Sequence, residues 1–339
     1  AGDLEHAQRT VEAAFAELAS SPGVREPDTL RAAIGLVAGD LALRTGRYED
    51  ARTVLSQALA FYTERVGERH LNASIARVGL IEALDRLGRL DAAAELAEAN
   101  VAINVDWLGA TDRLSIAARD ALANIHSRRG DLDLALSVNR AALDALIETP
   151  SGDPLLTLQL EANRVGYLLD AGRPGPAFAL AESLLPRLVE TLGAGHSLTW
   201  ITALNKADAL LALDRPVEAL SLARDLDRRI RSGLGETHLF ARVAGYLVGA
   251  SLSATGDLEA AEPLLVEHHR ALAAQLGPDH SLTLKAAGLL AAHWQRRGRA
   301  DLALALAEPA AARARAALGD QHQRTRDLQA LVAGLQPGG

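Results

Sequence analysis

"TGRYEDA" at residues 45–51 returns along the chain as "LGRLDAA" at 87–93, "RGDLDLA" at 129–135, "AGRPGPA" at 171–177, "LDRPVEA" at 213–219, "TGDLEAA" at 255–261 and "RGRADLA" at 297–303. The turn positions are Gly46, Gly88, Gly130, Gly172, Asp214, Gly256 and Gly298, each 42 residues after the last. A second mark falls 21 residues after each of them, at Gly67, Gly109, Ser151, Gly193, Gly235, Gly277 and Gly319. Half the period each time means two elements per unit, and a period of this length is the mark of a stacked array rather than of one enlarged core. An earlier half-unit, "AGDLEHA" at residues 1–7, stands 44 before the first full one, so two extra residues enter near Val24 to Pro27.

Between the marks the chain is rich in Ala, Leu, Arg and Glu with apolar residues spaced by three and four, which predicts helix rather than strand. Each unit is therefore expected to be a pair of antiparallel helices. Ala stands five residues after every turn position, at Ala7, Ala51, Ala93, Ala135, Ala177, Ala219, Ala261 and Ala303, where a small side chain allows the two helices to cross closely. Three residues further on, Val54, Leu96, Val138, Leu180, Leu222, Leu264 and Leu306 are expected to fill the space between neighbouring pairs. Pro174 and Pro216 open second helices, where a missing N–H costs little. Pro186 and Pro309 lie deep within later helices and should bend them or end them early. Trp107, Trp200 and Trp294 fall at different places in their units and are expected in the packing between helices.

Composition narrows the function classes. Of 339 residues 49% are hydrophobic but only 3% aromatic, which suits helix packing and gives no stacking platform. With no Cys and no Met there is no disulfide frame, thiolate zinc site or thiol nucleophile. A net charge of −8 argues against nucleic acid as a partner. No run of 18 apolar residues occurs, so no membrane insertion is expected. The start "AGDLEHAQRT" has no initiator Met, basic n-region or h-region, which reads as a soluble piece of something longer. A cytoplasmic location is favoured, with the periplasm open if the chain is attached to a membrane-anchored protein.

"GHSLT" at 195–199 looks at first like the beginning of a Ser–His site. His196, however, recurs at period 42 as His238, His280 and His322, and His70, Asp112 and Pro154 hold the same column in other units. A catalytic residue need not recur once per layer, whereas each first helix needs its free N–H groups satisfied by a ring nitrogen or a neighbouring Thr. Ser197 is repeated by Ser281, and no further Gly completes a nucleophile elbow. Phosphate loops, dinucleotide loops, HExxH and EF-hand patterns do not occur, and the adjacent His268 and His269 face different ways around a helix. No catalytic residue, metal or cofactor is expected, and the chain is not read as an enzyme.

The stretches "LGAGHSLTWITALNKADALLALDRPVEALSLA" at 192–223 and "LGPDHSLTLKAAGLLAAHWQRRGRADLALALA" at 276–307 carry a resemblance. They are similar to tetratricopeptide repeats of the 42-residue, kinesin-light-chain-like type, as found in bacterial multidomain signalling proteins. The usual pair of Asn survives only in part, and the Pro after His is replaced by Ser or Leu. The resemblance covers essentially the whole chain. It implies an all-α, right-handed superhelical solenoid of about seven full repeats with a half-repeat at each end, forming one domain over 1–339. A lone helix at 3–20 would be followed by repeats starting near 28, 70, 112, 154, 196, 238 and 280, and by a capping helix at 321–335 whose Arg324, Arg326, Asp327 and Gln329 look outward.

The resemblance further implies a concave wall made by the first helices, taking a protein or peptide partner. One column of that wall holds Asp40, Glu82, Asn124, Gly166 and Asp208, and a second holds Arg44, Arg86, Arg128 and Asp170. Three Arg in a row could hold an acidic peptide or a terminal carboxylate, yet Asp40 with Arg44 and Glu82 with Arg86 are also favourable i,i+4 pairs within their own helices. A third column, where the family grips ligand main chain, holds Asn163 and Asn205; Arg164 and Lys206 follow them and point toward a neighbouring groove. Asn163, Asn205, Asn124, Arg44, Arg86, Arg128 and Asp208 are the candidate ligand-binding residues. The expected function is a non-catalytic interaction scaffold, the C-terminal sensor or regulatory region of a larger bacterial signalling protein. The alternative is a self-associating, homo-oligomeric module that regulates an attached kinase, NTPase or DNA-binding domain.

Overall fold

The computed structural model describes residues 27–148, 152–320 and 322–336, together with 9–11, 13, 14, 16 and 17, which are helical. The remainder of the expected helix at 3–20, Ala7 and Ser151 lie outside the described residues. Fifteen helices have defined bounds. They are α1 Pro27–Arg44, α2 Tyr48–Val66, α3 Leu71–Arg86, α4 Leu90–Leu108, α5 Arg113–Arg129, α6 Leu132–Ile147, α7 Pro154–Asp170, α8 Pro174–Leu192, α9 Ser197–Ala212, α10 Pro216–Leu234, α11 Leu239–Thr255, α12 Leu258–Leu276, α13 Ser281–Arg296, α14 Ala300–Leu318 and α15 Gln323–Leu335. No strand occurs among the described residues. Odd-numbered helices are the first helices of the units and even-numbered ones the second.

The turn marks act as the spacing demands. Second helices end on Gly67, Gly109, Gly193, Gly235, Gly277 and Gly319, all with positive φ. Where the period calls for glycine at 214, Asp214 takes the left-handed conformation instead (φ 57°), the one non-glycine to do so among the described residues. Ala51, Ala93, Ala135, Ala177, Ala219, Ala261 and Ala303 are all 0% exposed, so the close-crossing column is real. The next column is displaced from expectation. Val54, Leu96, Val138, Leu180, Leu222, Leu264 and Leu306 are only half-buried. The fully covered positions are one residue later, at Leu55, Ala97, Asn139, Ala181, Ala223, Leu265 and Ala307. Buried Ala followed four, seven and eleven residues on by further buried positions is one face of an α-helix, and the half-buried column is its shoulder.

Pro186 and Pro309 do not end their helices, since α8 runs on to Leu192 and α14 to Leu318. Burial of Leu188 in the one and Ala314 in the other, beyond the proline, holds the last turns in place against a local cost of about 3 kcal/mol. Trp200 is buried and Trp294 packs against the core, but Trp107, at the end of α4, is exposed.

The chain divides into two compact units, the first comprising residues 1–126 and 144–150, the second 127–143 and 151–339. In the first, α1 packs on α2 and α3, and α3 on α2 and α4. In the second, each helix from α7 to α15 packs on the next, and the first helices α7, α9, α11, α13 and α15 also touch one another in that order. This direct contact between successive first helices makes them a continuous wall. No helix among the described residues is long and apolar enough to cross a membrane.

Candidate functional site: the first-helix wall

The recurrent histidines resolve first. His196 Nδ1 accepts the Leu198 N–H at 3.2 Å, and the rings of His70, His238, His280 and His322 do the same for residues two further on, at 3.1–3.2 Å. Asp112 caps α5 through Leu114 N–H at 2.8 Å. In the unit where the column holds Pro154, the cap moves back by one: Asp153 accepts the Leu156 N–H at 3.0 Å and Pro154 becomes the first helical residue. Thr199 does not share the capping; its hydroxyl donates to the Gly193 carbonyl at 2.9 Å, tying α9 to the end of α8. Each ring must present an unprotonated Nδ1, so the histidines of "GHSLT" type are neutral helix caps. No group of three or more His, Cys, Asp or Glu is placed to hold a metal ion among the described residues.

The candidate ligand residues fall on both units. In the first, Arg44 donates to Asp40 at 2.7 Å and Arg86 pairs with Glu82 at 3.6 Å, each an exposed i,i+4 contact worth a few tenths of a kcal/mol at most. Asn124 is exposed and its amide donates back to the Asp120 carbonyl of its own helix at 2.9 Å. In the second unit, Arg128 is exposed and, with Arg324 and above all burial, holds the His280 ring below the usual imidazole range. Asn163 and Asn205 are half-buried on α7 and α9. Among the described residues Asn205 has no hydrogen-bond partner, and its Nδ2 lies 3.8 Å from where a Cβ on Gly166 would stand, so glycine at 166 leaves room beside the amide. Arg164 and Lys206 turn back to the preceding second helix. Arg164 donates to Asn139 Oδ1 at 3.2 Å and to the Leu136 carbonyl at 3.3 Å, while Lys206 reaches Glu182 at 3.4 Å and lies over the Phe178 ring.

Asp208 is the candidate that the structure places in a cavity. A space of about 650 Å³ lies inside the second unit, walled on one side by α7 and α9 and on the other by α13 and α15. Asp170, Asp208 and Leu211 line the first side; Lys285, Leu289, Arg324 and Leu331 line the second. Two ion pairs cross it: Asp208 with Lys285, and Asp170 with Arg324 at 2.9 Å, each partner only 15–21% exposed. Arg324, expected to face outward, thus turns inward; Arg326, Asp327 and Gln329 of the same helix are exposed. Between the two walls α11 is buried from Val243 to Ser253 without a break, and burial together with the nearby Asp208 and Asp170 raises the Tyr246 hydroxyl well above the ordinary phenol range. A larger depression, about 880 Å³, is an open surface feature along α12 at Glu259, Glu262 and Arg270.

Sequence reasoning missed a set of buried polar side chains on the second helices. Asn100 accepts from the buried Arg77 at 3.4 Å, Asn104 donates to the Leu114 carbonyl at 3.4 Å, and Asn139 donates to the Leu160 carbonyl at 3.0 Å. Their signal was available: each stands on the buried face of a second helix, where other units carry mostly Ala, Leu or Ile, with Tyr62 and His268 the exceptions.

No protein-family model and no curated protein matches the chain. Solved structures do. NprR in complex with its cognate peptide NprX is 13% identical over 98% of this chain and 98% of that one, with a TM-score of 0.58. A signal transduction ATPase with a tetratricopeptide repeat sensor, from Pyrococcus horikoshii, is 16% identical over 91% of this chain and 46% of that one, with a TM-score of 0.58. Kinesin light chain TPR-like repeats from Podosopora anserina are 20% identical over 62% of this chain and 97% of that one, with a TM-score of 0.52. The fold is accordingly an all-α helix-pair array of the tetratricopeptide-like kind.

Proposed function

We propose that the chain is a non-catalytic interaction scaffold that takes a peptide, or a segment of a partner protein, on the wall of its first helices. The observation that carries this reading is the Asn205 amide. It is half-buried on α9 beside the side-chain-free Gly166 and has no hydrogen-bond partner among the described residues, so a donor and an acceptor stand ready for a ligand main chain. Asn163 holds the same position one repeat earlier, at the spacing of successive layers. A polar amide in the middle of a helix has poor helix propensity, and ligand contact accounts for Asn205. That NprR, of like fold, holds its cognate peptide supports the reading. We further infer a regulatory role within a larger signalling protein, as in the ATPase that carries a tetratricopeptide repeat sensor.

The test is a selection of displayed peptides against the whole chain, followed by titration of the best binder. Replacing Asn163 and Asn205 together by Ala is expected to weaken binding at least about tenfold, roughly 1.4 kcal/mol, with helical circular dichroism unchanged. Unchanged affinity in the double variant would remove the groove assignment.

A further inference from the structure

The ion pairs of the second unit join layers that a straight stack would keep apart. Asp170 and Arg324 are 154 residues apart, on α7 and α15, which are four repeats distant; Asp208 and Lys285 are 77 apart, on α9 and α13, two repeats distant. Helix axes in contact lie 8–10 Å apart, so four layers of straight stacking would put roughly 30–40 Å between α7 and α15. Instead the Asp170 carboxylate sits 2.9 Å from Arg324. The turns report the same closure: a Cβ on Gly130 would collide with the Leu318 carbonyl, and one on Gly172 with the Gln323 side chain.

The apolar contacts of α15 go elsewhere. Leu328 is buried against Leu284, Ala287 and the C-terminal half of α14 at Ala310, Ala314 and Leu318, and Leu331, Val332 and Leu335 pack on Ala291, Ala303 and Ala307. The last layer is therefore held to its sequence neighbours by hydrophobic packing, and to α7 by charge and by touching turns. Charge contacts are weakened by salt, whereas burial of leucine is not.

We propose that the Asp170–Arg324 and Asp208–Lys285 pairs are a releasable clasp that holds the second unit closed and gates access to its inner cavity. The clasp regulates the same wall that the groove reading assigns to ligand, and rests on that reading only for what passes the gate. Opening lets the α13–α15 layers swing as one body away from α7 and α9; closing seals the space over Leu211 and Leu289.

The absence of Cys from the chain makes a direct test available. Ala292→Cys puts a single thiol in the cavity wall, and Ala305→Cys on the exposed side of α14 serves as control. Each is alkylated with fluorescein maleimide under pseudo-first-order conditions, with no ligand present. Adding Asp170→Asn and Asp208→Asn is expected to speed modification at 292 about tenfold or more while leaving position 305 unchanged, since the equilibrium between closed and open is shifted by the lost pairs. Raising salt to about 1 M, where the screening length falls to roughly 3 Å, should do the same to the chain that keeps both Asp. Exchanging the charges, Asp170→Arg with Arg324→Asp, should return the slow rate. Equal rates at 292 with and without the Asp pair, and at low and high salt, would overturn the clasp and leave closure to the packing of the turns. Such a result says nothing against Asn163 and Asn205, whose test measures peptide affinity.

Discussion

The imidazole of His268, on α12, occupies the space that a Cβ on residue 245 of α11 would need, so Gly245 and His268 are one packing unit made of the smallest side chain and a ring. The ring is buried, neither nitrogen takes a hydrogen bond, and burial lowers its pKa, so it stands there as a neutral filler. Gly245→Ala should destabilise the chain by about 3 kcal/mol or more through overpacking, despite the better helix propensity of Ala. In a His268→Ala background the same substitution should cost less than about 1 kcal/mol, because the obstacle is gone. His268→Leu should raise stability by about 1 kcal/mol by removing two unsatisfied polar atoms. Urea unfolding of the natural chain, the two single Ala variants, their combination and His268→Leu checks this; equal costs of Gly245→Ala in both backgrounds would show the two residues to be uncoupled.

His322 makes stability depend on pH in a stated window. The ring is 2% exposed and caps α15 by accepting the Arg324 N–H, and burial first, then the charges of Arg324 and Arg326, push its pKa down to about 4 against the pull of Asp170. In the unfolded chain it titrates near 6.5. A folded-state pKa below the unfolded one means that the unfolded state binds the proton first, so stability is fully present above about pH 6.5 and is lost as pH falls toward about 4. The full loss is on the order of 3 kcal/mol. His322→Asn, which can still cap, should flatten the thermal midpoint between these pH values relative to the natural chain. A profile unchanged by that substitution would assign the acid sensitivity to other groups.

The period was legible because its causes are local and must be met in every layer. Each second helix needs an end that a left-handed residue supplies, each pair needs a small residue where its helices cross, and each first helix needs a cap. Gly193, Ala219 and His196 are therefore the same requirement repeated, and Asp214 keeps the backbone conformation even where the residue type drifts. The site was less legible for a different reason. Whether Arg324 meets water or Asp170 depends on the small rotation from each layer to the next, summed over four repeats, and no single repeat records that sum. Pro186 did not end its helix, and by a similar route: a local preference for ending a helix was outweighed by packing supplied from elsewhere in the chain. Asp208 could be placed on the inner wall from its column, but not paired with Lys285 two layers on.

Asn139 offers a test of why polar side chains occupy the buried face of second helices. It is 0% exposed on α6, donates to the Leu160 carbonyl at 3.0 Å and accepts from Arg164 at 3.2 Å, so one amide bridges two places on α7. Ala181, Ala223 and Ala307 hold its position in other units, and none of those units has Arg where Arg164 stands. The amide is thus explained by the arginine that faces it. Asn139→Leu keeps the volume but strips the guanidinium of a buried acceptor, and should cost about 2 kcal/mol. Arg164→Leu alone should cost a similar amount, since it leaves the Asn139 oxygen unsatisfied. With both changed, an apolar pair replaces a polar one, and the double variant should be no less stable than either single, a coupling of about 2 kcal/mol. Urea midpoints for the three variants decide it: strictly additive losses would mean that Asn139 answers to Leu160 alone.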